Sequence, residues 1–377
     1  MTDPVISFLR DLVAIDSVNP TLVPGAAGEG QAAAAVAAYM RRIGLDVHMQ
    51  EAAPGRPNVI GVLEGRERGR TLMFCGHLDT VGVEGMDAPF DPVERNGRLY
   101  GRGAQDMKSG VAAMIDAARL AQVRGFGRGR IIVAAVVDEE YASIGADALV
   151  NAWRADGAVV TEPTDLQIGV GHKGFAWAAI ETRGRAAHGS RPIDGRDAII
   201  RMGRVLTRLE RLDRDLQARV PHPLIGTGSL HASIIAGGRE LSSYPDRCRL
   251  QVERRTVPGE TANTFAAEID ALLTELRQED SEFDGSFSMT FSRAPYEMPS
   301  PHSLTASLAA AAASTGFPVS TTGMSFWTDA AVLGGAGIPS LLFGPGGAGL
   351  HSVEEYVKLD EVLACRDALA ALALEWT

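Results

Sequence analysis

The chain has 377 residues, 45% hydrophobic and 22% charged, with 36 basic against 47 acidic side chains and a net charge of −11. That length exceeds what one core usually serves and predicts two domains. The acidic balance argues against nucleic acid or an anionic membrane as a partner, and no apolar run approaches the ~18 residues of a membrane span. The first residues, MTDPVISFLRDLVAID, carry acids inside their apolar pattern and lack a small-residue cleavage site, so no signal peptide is expected. Cys75, Cys248 and Cys365 are odd in number and far apart, as expected of reduced core residues in a cytoplasmic protein.

In chain order, ISFLRDLVAI and GQAAAAVAAYMRRIG have apolar residues at helical spacing, the second stopping at Gly44. The runs NVIGVLEG and TLMFCGHLD follow, then the helical KSGVAAMIDAARLAQVRG and the strand-like RIIVAAVVDEE. Continuously apolar strands alternating with helices predict an α/β domain with a mixed, largely parallel sheet between helices. From about residue 175 the pattern changes to GFAWAAIETRG as a strand and DAIIRMGRVLTRLERLDRDL as a helix. GSLHASIIAGG and DRCRLQVERRTV read as strands, TANTFAAEIDALLTEL as a helix capped by Thr261, and GSFSMTFS as a strand. This β-α-β-β-α-β order is an α+β sandwich inserted at 175–292 between two parts, 1–174 and 293–377, of the first domain. The last part returns to α/β character and ends in the helix LDEVLACRDALAALALEW.

The chemistry-bearing residues gather at strand ends and glycine-rich loops. His77 and Asp79 follow the run TLMFC, and Asp106 sits in YGRGAQDMKSG. Glu139 and Glu140 end the run IIVAAVVDEE, Glu162 follows GAVV, and His351 lies in GAGLHSVEEYV. In an α/β sheet the carboxyl ends of the strands are where ligands bind. So many carboxylates in one small volume would raise one another's pKa or push apart, and a pair of divalent cations resolves the conflict. Mixed imidazole and carboxylate donors suit Zn2+, with Co2+ or Mn2+ as substitutes. An Asp lying between the ligand sets in sequence is a natural bridge. The run of three acids is explained if one Glu holds an ion while its neighbour handles a proton. Taken singly each motif is weak: His-x-Asp is mostly structural, and acids at a strand end are commonly solvated. The ordered combination is what carries the signal.

In that combination the chain resembles the zinc-dependent amidohydrolases and exopeptidases that include acetylornithine deacetylase, succinyl-diaminopimelate desuccinylase, carboxypeptidase G and aminoacylase-1. The resemblance rests on GHLDTV (76–81), YGRGAQDMKSG (100–110), DEEYASIG (138–145), TEPT (161–164), GRAAHGSRP (184–192), RRTVPGE (254–260) and LHSVEEYV (350–357). It implies that His77 and Glu162 bind one metal ion and Glu140 and His351 the other, with Asp106 bridging. Asp79 would orient the His77 imidazole through its carboxylate, and Glu139 would be the general base that moves a proton from the attacking water to the leaving amine. A cis peptide would follow Asp106. His188 would stabilise the oxyanion, reaching the site of a partner subunit in a homodimer formed through the inserted domain; without the resemblance it reads as a loop histidine held by Ser190. Arg255 could clasp a substrate carboxylate or pair with Glu253 or Glu260.

The chain departs from the family it resembles at Ser242, where many members carry an Asn whose loss here leaves substrate identity open, and at Ser109 in place of Gly. Glu162 rather than Asp resembles the deacetylase and desuccinylase branch. The implied activity is hydrolysis of an N-acyl amino acid or related small N-acyl amine. A dipeptidase or carboxypeptidase is the alternative within enzymes, and a non-catalytic metal-binding dimer is the alternative outside them. Glu139 speaks against the last, since a binding protein gains nothing from a base beside two metals. The inserted domain would close as a lid, with Gly171 and Gly174 as candidate hinges.

Overall fold

The computed structural model describes residues 3–317 and 319–377. It divides into two compact units. One runs to Val170 and adds Met298–Thr322 and Thr328–Thr377; the other is Gly171–Glu297 with Gly323–Trp327.

The first unit is built on a twisted sheet with the strand order Asp46–Ala53, Arg56–Glu64, Arg128–Val136, Glu67–His77, Gly157–Val160, Ser340–Leu342 and Ile168–His172. The sheet is parallel only through its middle, where Glu67–His77 pairs with Arg128–Val136 and Gly157–Val160, and Gly157–Val160 with Ser340–Leu342. Its flanks are antiparallel. The middle strands have no polar alternation because both faces are covered: Leu72–Leu78 and Ile131–Val137 are buried without interruption. Helix Ser109–Val123 lies against Leu359–Trp376 and the strands Glu67–His77 and Arg128–Val136. It is apolar around most of its circumference and correspondingly buried. The three parallel strands run the same way in close register, with Cys75 opposite both Ala134 and Val160. His77, the turn after Val136 and the segment after Val160 therefore emerge at one edge.

A small antiparallel sheet joins Val93–Arg95, Arg98–Tyr100, Tyr356–Lys358 and Gly347–Ala348. Its hairpin turns at Asn96 and Gly97, both at positive φ (54° and 72°), as a two-residue Asn-Gly loop requires. Pairing Tyr356–Lys358 with Arg98–Tyr100 carries the loop after residue 348 alongside the loop that follows Tyr100.

The second unit is a four-stranded antiparallel sheet, ordered Ser229–Gly237, Arg247–Thr256, Gly174–Arg183, Asp284–Arg293. Helices Ala198–Gln217 and Ala262–Glu279 supply its core with Met202, Val205, Leu209, Phe265, Ile269 and Leu273 against Ile180, Leu250 and Val252. Arg247–Thr256 alternates buried and solvent-facing residues, the signature of a sheet packed on one face. Thr261 caps the second helix in a reciprocal box with Thr264. Gly174 permits close approach: a Cβ there would strike the backbone of Ala294 and Pro295. Gly171 likewise lies against Tyr296 O, at 2.9 Å from an added Cβ.

Candidate metal centre

His77 is the last residue of its strand, and burial leaves it 1% exposed. Its Nδ1 lies 2.9 Å from the backbone oxygen of Asp79. A carbonyl only accepts, so Nδ1 carries the proton and the lone pair of the neutral ring sits on Nε2. That atom is 3.1 Å from Asp106 Oδ1 and 3.9 Å from Glu139 Oε2. The other oxygen of Asp106 lies 3.4 Å from His351 Nε2, which is also 3.2 Å from Glu140 Oε2. One carboxylate thus stands between two imidazoles. Asp106 follows Gly103 (φ 78°), and the Asp106–Met107 peptide is cis. Ligand atoms of His77, Glu139 and Glu162 fall within 4.8 Å of one another, as do those of His77, Asp106 and Glu140. Every one of these residues belongs to the first unit.

The three consecutive acids divide their tasks. Asp138 (φ 70°) turns its buried carboxylate away from the cluster, 2.8 Å from Arg56 Nη1 and 3.1 Å from Asn19 Nδ2. Glu139 and Glu140 are left facing the histidines, and their backbone N–H groups each donate to Asp79 at 3.1 Å. Asn19 Nδ2 donates to the same carboxylate at 2.8 Å. Asp79 meets His77 through two groups. Its backbone oxygen is the nearer to Nδ1, and its carboxylate lies 3.6 Å from the same nitrogen while also holding the 138–140 turn. Asn19 and Arg56 were not picked out from sequence, because their partners are distant in the chain; Asp138 lies inside the motif DEEYASIG, but its pairing with them does not show there.

Electrostatics follow from this crowding. Burial pushes the Glu139 carboxyl well above the usual range, and the neighbouring Glu162 charge adds to it. Burial does the same to Glu162, with His77 opposing and Asp106 and Asp329 adding. Asp79 is pushed up to about 7 by burial, against the pull of His77. Burial also acts to raise Asp106, but hydrogen bonds from His351 and His77 outweigh it and hold the carboxyl below the usual range. His351 is raised to about 10 by its bonds to Asp106 and Glu140. Burial disfavours a proton on His77, yet Asp106 and the surrounding carboxylates drive its pKa well above 6.5.

The residues fit a pair of divalent cations. Imidazole and carboxylate oxygen are the donors such ions take, and with Nδ1 committed to Asp79 O, Nε2 is the His77 atom that would face an ion once the ring is neutral. Glu140 Oε1 and Glu162 Oε1 are buried without a hydrogen-bond partner among the described residues. Metal ions would displace the protons that the crowded acids otherwise force onto the imidazoles.

His188 and Arg255 belong to the second unit. His188 is exposed, with Nδ1 accepting from Ser190 N at 3.2 Å and lying 2.7 Å from Ser190 Oγ. Arg255 donates from Nε to Glu253 Oε1 at 2.6 Å and lies over the Phe175 ring. Glu260 instead takes the fully buried Arg254, at 2.8 Å.

A cluster of imidazoles and acids at the carboxyl edge of a mixed α/β sheet defines a hydrolase-type metal centre. The profile of Peptidase family M20/M25/M40 matches residues 73–375, and the chain belongs to that family. It is 28% identical over 375 residues, covering 90% of this chain and 88% of the other, to N-formyl-4-amino-5-aminomethyl-2-methylpyrimidine deformylase of Bacillus subtilis (strain 168). It is 30% identical over 335 residues, 85% and 84% of the two chains, to acetylornithine deacetylase of Myxococcus xanthus. The fold is similar to that of the Bacillus subtilis YXEP protein, a dinuclear metal-binding peptidase, with a TM-score of 0.76, 16% identity, and 99% and 98% coverage.

Proposed function

We propose that the protein is a metal-dependent amidohydrolase that removes the acyl group from an N-acyl amino acid or a related small N-acyl amine. The observation that carries this is the Asp106 carboxylate, which presents one oxygen to His77 and the other to His351, with Glu139 beside them. Two divalent cations held by His77, Glu162, Asp106, Glu140 and His351 would polarise the amide carbonyl and bring the pKa of a water towards ~7. Zn2+ is the ion best suited to this donor set, with Co2+ and Mn2+ next. Glu139 takes the proton of the attacking water and returns it to the departing nitrogen. Asp79 keeps that carboxylate in place by gripping the backbone of its turn. The deformylase and the deacetylase among the relatives support an acyl group as the part removed.

His188 acts as oxyanion donor in this reading. Ser190 N–H donates to its Nδ1, which places the proton of the neutral ring on Nε2 and makes that atom a donor. It completes the site of a partner subunit in a homodimer formed by the second unit. The edge strand Ser229–Gly237 supports such pairing, with Ile234 and Ile235 59% and 52% exposed. Arg255 keeps its Nη groups for a substrate carboxylate, its Nε being taken by Glu253. The cytoplasm suits three buried, unpaired cysteines.

The test of substrate class is a hydrolysis screen of N-acetyl, N-formyl, N-succinyl and N-carbamoyl amino acids beside dipeptides, with zinc, cobalt or manganese supplied. Turnover of an N-acyl class above the dipeptides is expected; cleavage of dipeptides alone would contradict it. Mixing His188→Ala subunits with Glu139→Ala subunits should restore activity, and none in confirmed heterodimers would place the whole site in one chain.

A further inference from the structure

Glu355 is buried on the loop that leads from His351 into the strand Tyr356–Lys358, and it is not among the ligands. Its carboxylate takes donors from one short segment of another loop. Oε1 accepts from Gln105 N at 2.8 Å and from Asp106 N at 3.1 Å; Oε2 accepts from Gly103 N at 3.1 Å and from Arg102 Nη1 at 2.6 Å. Arg102, also buried, returns across the gap and donates from Nη2 to the backbone oxygen of Ser352, next to His351, at 2.9 Å. Gly101 N donates to Glu355 O at 3.1 Å. The loop bearing Asp106 and the loop bearing His351 are therefore laced together through one carboxylate and one guanidinium.

A buried ion pair is poor evidence of stability by itself, because desolvating both charges offsets much of their attraction. Its geometric consequence is more specific. His77 ends a paired strand and Glu162 follows another, so the sheet fixes their positions. His351 has no such support: its side chain is 54% exposed, and its side-chain contacts are with Asp106 and Glu140. Its separation from Asp106 depends on what ties the two loops.

We propose that Glu355 and Arg102 are positioning residues that set the spacing of Asp106 and His351, and so the affinity of one metal position, that of Asp106, Glu140 and His351, selectively over the one at His77 and Glu162. This rests on the amidohydrolase reading above. Partners that orient metal ligands typically change metal affinity by roughly 10- to 100-fold when lost, and the loss here falls on one ion of the two.

The test is a stepwise Co2+ titration of the chelator-treated full chain, followed by calorimetry and the cobalt absorption spectrum. The wild type should bind in two steps. Glu355→Gln keeps the shape but replaces one acceptor oxygen with a donor, and should weaken one step by roughly 10- to 100-fold and alter that step's spectrum while the other persists. Arg102→Lys retains the charge but not the fork and should shift the same step, so a poorly folding Glu355→Gln does not close the question. Glu361→Gln is the control: Glu361 is a buried carboxylate that accepts from Gly346 N at 2.7 Å and pairs with Lys358, and its loss should lower the melting temperature with both steps intact. If Glu355→Gln and Arg102→Lys behave as this control does, or weaken both steps equally, the selective tether is overturned. If the wild type takes up no cobalt, the amidohydrolase reading itself fails and the tether with it.

Discussion

Asp106 explains why so acidic a cluster can exist at one sheet edge. Its two oxygens face two histidines, and that arrangement is useful only if something positively charged lies on each side. Glu139 is the residue whose loss should separate chemistry from binding. Glu139→Gln is expected to lower kcat by about a hundred- to ten-thousand-fold while metal content, measured by elemental analysis, stays at the wild-type level. Undiminished turnover would remove Glu139 from the mechanism. The ligand candidates were legible because each follows an apolar run or a glycine-rich loop. The residues behind them were not. Asn19 meets Asp79 across 60 positions of sequence and Arg102 meets Glu355 across 253, and an isolated Asn or Arg carries no periodicity. The second task of Asp79, holding the 138–140 turn, was hidden for a related reason. Sequence places it two residues from His77, but only the fold shows that the chain's own carbonyl comes nearer to Nδ1 than the carboxylate does.

At the scale of elements, the strands and helices that carry the site were readable because continuous burial demands continuous apolar runs. The small sheet was not, since strands of two or three residues hold no pattern to read, and only the Asn96-Gly97 turn hints at it. Helix Ser109–Val123 shows how packing overrides local preference. Gly110 sits where a Cβ would collide with the carbonyl oxygen of Thr161, beside Glu162, and lie 2.8 Å from Thr161 Oγ1. Helix propensity alone predicts that Gly110→Ala stabilises by about 0.5–1 kcal/mol. Overpacking predicts a loss of about 1–3 kcal/mol, with Glu162 displaced and metal affinity reduced. Urea denaturation of the variant decides between them, and a gain in stability would mean that the helix and the segment carrying Glu162 are not in this contact.

For the molecule as a whole, acid stability has an identifiable contributor outside the metal cluster. His172 is fully buried among Tyr296 and Trp327, with Nδ1 2.9 Å from Lys173 O and Nε2 without a partner among the described residues. Burial lowers its pKa from 6.5 to about 4. Between those values the unfolded chain binds a proton that the folded chain does not, so stability rises with pH through that window and is lost as pH falls from 6.5 towards 4. The difference corresponds to roughly 3 kcal/mol. In His172→Phe the dependence of unfolding free energy on pH between 6.5 and 4 should flatten by about that amount. Parallel curves for variant and wild type would show that His172 does not carry it.

The most direct test of the central claim is a crystal structure of the protein grown with zinc and without chelator, with anomalous maps recorded at the zinc edge and metal counted in the same preparation. Two peaks should appear, one on each side of the Asp106 carboxylate, one against His77 and Glu162 and the other against Glu140 and His351. No peak, or a single ion held away from Asp106, would contradict the account.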